Sequence, residues 1–253
     1  MTNKRSILIF VFVLFLLACT GRNKTVEIAV EPGRMVEVDD SLILDERMFC
    51  SETETEKRML SMGLVDIGKL DRRIKVKLIY ATPDNFTGKV LYRELRKAYM
   101  RPLVAEKLIR AQDLLENIRT GWQIVVYDAA RPMSVQREMW ELVKGTPRHI
   151  FVSNPGRGGG LHNYGLAVDV TLCDSSGGFP DMGSAFDYFG EEARGDKEEE
   201  LVIRGKITPE AFENRQLLRK VMTEAGFIAL GSEWWHFNAL PRREVIGKWE
   251  RIE

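Results

Sequence analysis

The stretch Gly160-Leu161-His162-Asn163-Tyr164-Gly165-Leu166-Ala167-Val168-Asp169 organises the rest of the chain. Its end continues into Val170-Thr171-Leu172, and residues 167–172 read as a short strand rich in β-branched side chains. Val168 and Val170 then face one side of that strand and Asp169 the other. An aspartate flanked by β-branched residues is poorly suited to a solvent surface. A turn at Gly165 brings His162 back beside the start of the strand. His162 and Asp169 are thereby candidates for one site.

A second stretch, Ser232-Glu233-Trp234-Trp235-His236, lies far along the chain and holds another of its three histidines, His149, His162 and His236. Two imidazoles and one carboxylate suffice to hold a catalytic metal ion with one position open to water. His162, Asp169 and His236 form such a set, and Glu233 is left over as a base. On a flat strand Glu233 and His236 point to opposite faces. Both serve one site only if the backbone bends near Trp234 and Trp235. The two tryptophans read equally as a wall around the site and as plain core packing.

Outward from these stretches, residues 74–80 alternate with period two and read as a strand. Thr82-Pro83-Asp84-Asn85 then breaks the pattern. Residues 101–119 read as a helix, with Pro102 in its first turn, Gly121 as its stop, and Leu103, Val104, Leu108, Ala111, Leu115 and Ile118 as a core stripe. A strand over 123–127 leads to Asp128-Ala129-Ala130-Arg131-Pro132, and a helix covers about 133–143. Arg131 stands just past an apolar strand, where a guanidinium can stabilise negative charge on a carbonyl oxygen. Gly156 to Gly160 lacks the Gly-Lys-Ser/Thr ending of a phosphate loop and reads as a loop entering the metal site. Residues 174–207 form a long polar insertion without periodicity. Thr208-Pro209 opens a helix that ends at Gly226. Residues 227–230 and 235–240 read as a hairpin pair. Strands mixed with helices, without strict alternation, indicate an α+β single domain: a mainly antiparallel central sheet flanked by helices, with the metal site in a cleft.

The N-terminus has a different character. Lys4 and Arg5 precede an unbroken apolar run over residues 7–17, too short for a comfortable membrane span and suited to an export signal. Leu16-Leu17-Ala18-Cys19 resembles the lipobox of bacterial lipoproteins. The expectation is a leader over 1–18 and lipidation of Cys19, with Thr20 favouring the periplasmic face of the outer membrane. Removing the leader takes two of the 37 basic groups and none of the 37 acidic ones, a net of −2. Nothing in that balance suggests nucleic acid as a partner, which calls for a basic stripe. Residues 19–58 are acid-rich and aperiodic, and read as a tether with one short helix; the domain is placed at 59–253. Cys50 and Cys173 read as free thiols.

The set His162, Asp169, Glu233 and His236 resembles the zinc D,D-peptidases, which include D-alanyl-D-alanine dipeptidases and D,D-carboxypeptidases. The dipeptidase branch is the closer likeness. Its marks are Tyr80-Ala81-Thr82 with Asn85-Phe86-Thr87-Gly88, Tyr127-Asp128-Ala129-Ala130-Arg131-Pro132, and Asp181-Met182-Gly183-Ser184-Ala185-Phe186-Asp187. The resemblance covers roughly residues 62–240. It implies one zinc ion per chain on His162, Asp169 and His236, Glu233 as general base, and Arg131 on the scissile carbonyl. It also implies Asp187 and Tyr80 as substrate-binding residues, with Asp187 reading the free amine of a small dipeptide. The family often has a serine two residues before the first zinc histidine, where this chain has Gly160. The alternatives are a D,D-carboxypeptidase acting on peptidoglycan peptides and an inactive surface-binding lipoprotein. The oligomeric state is not legible.

Overall fold

The computed structural model describes residues 51–253 together with two short strands between residues 27 and 37. The chain divides into two compact units, residues 1–51 and 52–253. In the first, β1 (Glu27–Glu31) and β2 (Arg34–Glu37) pair as an antiparallel hairpin, which the aperiodic tether did not announce. The leader over 1–18, Cys19 and Cys50 lie outside the described residues. Among the described residues no helix is long and apolar enough to cross a membrane.

The second unit opens with α1 (Glu54–Ser61), which straddles the boundary drawn at residue 59. Thr53 and Glu56 close a reciprocal capping box, and Glu56 also accepts from the Arg96 amide at 2.9 Å. Met59 of this helix is fully buried in the core. Then follow β3 (Val65–Asp66), α2 (Ile67–Leu70), β4 (Lys75–Val76), β5 (Tyr99–Met100), α3 (Pro102–Ile118), β6 (Gln123–Asp128) and α4 (Met133–Val143). The chain continues through β7 (Ala167–Cys173), α5 (Glu198–Ile203), α6 (Pro209–Glu224), β8 (Ile228–Ala229) and β9 (His236–Asn238).

The main sheet has the order β4-β6-β7-β9-β8, while β3 and β5 pair separately. The sheet is mixed, which corrects the expectation of a mainly antiparallel one: β4 and β6 run parallel. The cause is the connection. Between β4 and β6 the chain makes a long crossover containing α3, and such a crossover returns a strand in its original direction. The remaining neighbours pair antiparallel.

Helix α3 lays Val104, Ala105, Leu108, Ala111 and Leu115 into the core and packs against α6. Ile118, at the end of the expected stripe, stays exposed. Thr208 caps α6 by accepting from the Ala211 amide at 3.0 Å, with Pro209 in the first turn. The strand expected over 74–80 is shorter than its alternation suggested. Only β4 joins the sheet, and Ile79–Ala81 is a 3-10 turn. The Tyr80 carbonyl there accepts from the Leu91 and Tyr92 amides, each at 2.9 Å. Strand β7 lies centrally and is buried on both faces. Its side chains must therefore be apolar or fully partnered, and Asp169 is partnered.

Candidate metal centre

Strand register assembles the centre. Asp128 on β6 lies opposite Asp169 on β7, and Asp169 lies opposite His236 on β9. His162 joins them from the 3-10 turn Leu161–Tyr164, which Gly165 ends with φ 68°. A Cβ at Gly165 would sit 3.1 Å from Leu64 Cδ2, so glycine serves both the backbone angle and the space.

His162, Asp169 and His236 each offer one ligand atom, and these atoms lie within 4.8 Å of one another. His236 Nδ1 is 2.9 Å from Asp169 Oδ1, and His162 Nε2 is 3.3 Å from the same oxygen. The second nitrogen of each ring is engaged behind it. His162 Nδ1 meets the Ala129 carbonyl at 2.8 Å, and His236 Nε2 meets Asn238 Oδ1 at 3.0 Å. Donation through those rear nitrogens orients each ring, so that its forward nitrogen, once deprotonated, is aimed where a metal ion would be held.

Charge is coupled across the group. Burial opposes ionisation of Asp169, but His162 and His236 beside it hold its carboxyl below the usual range. Burial also opposes a charged His236, yet the bond and charge of Asp169 raise it to about 9. A divalent cation competes directly with that proton for Nδ1.

Glu233 reaches the same cavity through a turn. The His236 amide bonds back to the Glu233 carbonyl at 3.4 Å, so residues 233–236 bend sharply instead of running flat. This bend answers the opposite-face objection raised by their spacing. Burial raises the Glu233 carboxyl above its ordinary value, partly countered by the charge of His236. The adjacent tryptophans divide the two roles. Trp235 lines the cavity, while Trp234 turns into the core and donates from Nε1 to Ser184 Oγ at 3.0 Å.

Arg131 stands at the end of β6 with its amide on the His162 carbonyl at 3.0 Å. Its Nε donates to Asp128 at 3.0 Å and its Nη1 to Gln136 at 3.0 Å. Burial works against its charge, but Asp128 more than compensates and Arg131 stays ionised. Its guanidinium carbon lies 5.1 Å from the centre of the Tyr80 ring. Tyr80 in turn donates its hydroxyl to Asp187 Oδ1 at 2.8 Å. Burial pushes Asp187 up to about 7, with the Tyr80 bond pulling the other way. All seven of these residues, His162, Asp169, His236, Glu233, Arg131, Tyr80 and Asp187, line one cavity of about 440 Å³.

The supporting partners Asp128, Tyr92 and Asn238 were not singled out from sequence. Tyr92 donates to Asp128, which is fully buried and holds Arg131. An acid at the end of an apolar strand, three residues before an arginine, was the available signal for Asp128. Cys19 lies outside the described residues. Cys173 is buried and forms no disulfide among the described residues.

Comparison with known proteins gives the family. The family profile described as D-ala-D-ala dipeptidase matches residues 60–245. A D-alanyl-D-alanine dipeptidase of Escherichia coli (strain K12) is 33% identical over 181 residues, 71% of this chain and 85% of that protein. One from Enterococcus faecium is 26% identical, covering 70% of this chain and 92% of that protein. A third, from Synechocystis, is 27% identical over 55% of this chain and 68% of its own length. A profile that spans the whole metal centre and its cavity, with a relative one-third identical, makes this chain a member of the D-ala-D-ala dipeptidase family of peptidases.

Proposed function

We propose that the chain hydrolyses D-Ala-D-Ala-type dipeptides with one zinc ion held by His162, Asp169 and His236. The observation that carries this reading is the convergence of those three ligand atoms within 4.8 Å of one another. Two imidazole nitrogens and one carboxylate suit zinc, leave a position open, and have both rings fixed from behind. When bound, such an ion supplies Lewis acidity that makes water ionisable near pH ~7.

The chain's own groups do the rest. Glu233 accepts a proton from the attacking water on its carboxylate and delivers it to the leaving amine. Burial raises its proton affinity, which suits a group that must take and return a proton near neutrality. Arg131 faces the developing charge on the carbonyl oxygen. Its bonds to Asp128 and Gln136 fix its plane, and a guanidinium has five N–H donors, so some remain for substrate. Asp187 pairs with the substrate ammonium, and Tyr80 holds that carboxylate in place.

The test is hydrolysis of D-Ala-D-Ala beside N-acetyl-D-Ala-D-Ala. The free dipeptide should be cleaved and the acetylated one spared. Equal cleavage of both replaces the dipeptidase reading with a D,D-carboxypeptidase. We further propose export of the chain and acylation at Cys19, supported by Leu16-Leu17-Ala18-Cys19 behind a basic and apolar leader.

A further inference from the structure

Arg242 also lines the cavity, and nothing in the proposed chemistry uses it. Its Nη1 donates to the Gly159 carbonyl at 2.8 Å and its Nη2 to the Arg157 carbonyl at 3.2 Å. Those two bonds hold the guanidinium against the loop that leads into His162. Among the described residues no carboxylate forms an ion pair with it. A guanidinium has five N–H donors, so most of its donor capacity is free. Arg131 differs, because its Nε, Nη1 and Nη2 are already engaged by Asp128 and Gln136.

Beside Arg242, Gly160 has no side chain, and a Cβ placed there would lie 3.1 Å from Ser153 Oγ. Ser153 lines the same cavity, and its hydroxyl makes no hydrogen bond among the described residues, only its carbonyl accepting from Gln136. The missing side chain at Gly160 lets the Ser153 hydroxyl sit against the backbone there, so a guanidinium with spare donors and an uncommitted hydroxyl meet at one wall. The Asp187 wall is built separately, from Tyr80 and Phe86.

We infer that Arg242 and Ser153 form the subsite for the C-terminal carboxylate of the substrate, Arg242 pairing with the charge and Ser153 donating its hydroxyl. This rests on the dipeptidase reading and deepens it. A zwitterionic dipeptide carries one ammonium and one carboxylate, and this cavity then has a complement for each. The subsite selects a free C-terminus over an amide or an extended chain.

Calorimetry on zinc-loaded Glu233→Gln protein tests it, because binding is then read without turnover. D-Ala-D-Ala should bind about 10-fold or more tightly than its C-terminal amide, as expected for a charge-assisted pair. Arg242→Ala should bring the two affinities together, Arg242→Lys should restore part of the preference, and Ser153→Ala should lower it less. Ser153 is exposed and small, so its variant keeps the fold even if loss of Arg242 disturbs the loop. Equal binding of acid and amide by the parent, or a preference that survives both Arg242→Ala and Ser153→Ala, overturns the subsite. Hydrolysis by protein with Glu233 intact is the separate arm. A chain that prefers the acid but hydrolyses no dipeptide keeps the subsite and loses the peptidase reading. One that hydrolyses dipeptides with its acid preference untouched by the variants does the reverse.

Discussion

Asp187 is a non-glycine residue held at φ 60°, a conformation that costs about 1–2 kcal/mol for most side chains. Asparagine tolerates that region, so Asp187→Asn removes the charge and keeps the backbone. Its expected effect is a KM for D-Ala-D-Ala raised about 10-fold or more, with zinc content unchanged. Only the ionised carboxylate pairs with an ammonium, and burial raises this group to about 7. KM should therefore climb as pH falls through neutrality. Tyr80→Phe removes a bond that favours the ionised form, and the rise should then begin at higher pH. A KM profile that ignores pH, or one that Tyr80→Phe leaves in place, contradicts the amine-binding role. Asp187 could not be derived from periodicity, since it sits in an aperiodic insertion; only its motif pointed to it.

That insertion is held by an element far from it in sequence. Arg215 on α6, almost fully buried, donates from Nε to the Met182 carbonyl at 2.6 Å and from Nη2 to the Glu192 carbonyl at 2.7 Å. These two bonds bracket Asp187. The Trp234 amide adds a third tie, to the Ala193 carbonyl at 2.9 Å. Arg215→Ala also deprives buried Glu198 of a cation 3.9 Å away, leaving Arg219 as its partner. The expected loss is on the order of 3 kcal/mol in denaturant unfolding, with a raised KM and undiminished zinc. Unchanged KM in a folded Arg215→Ala protein would detach α6 from the site. The elements most legible in the sequence were those with hard punctuation. Pro102 and Thr208-Pro209 marked the starts of α3 and α6, and Gly226 follows the end of α6. Alternation over 74–80 overstated β4, because the turn at Ile79–Ala81 is decided by tertiary bonds to Leu91 and Tyr92. The parallel pairing of β4 was equally hidden, since register across a crossover leaves no mark in local pattern.

At the scale of the whole molecule, two stretches far apart in sequence meet because β7 and β9 are neighbours in the sheet. The ligand residues were legible from their chemistry and scarcity, as two of only three histidines. Their supports were not, because the Ala129 carbonyl and Asn238 act only once the strands are in register. The proposed anchor also belongs to this scale. Cys19→Ser should leave an unprocessed precursor or free the protein from the membrane fraction, whereas wild-type chain recovered wholly as soluble protein contradicts acylation. The proposed chemistry turns on Glu233 acting beside a centre it does not help to hold. The most direct measurement is D-Ala-D-Ala turnover by Glu233→Gln protein of known zinc content. The expected result is one zinc per chain, as in the wild type, and turnover lowered about 10²- to 10⁴-fold. A Glu233→Gln protein that has lost its zinc, or one that keeps its zinc and turns over substrate at the wild-type rate, would contradict it.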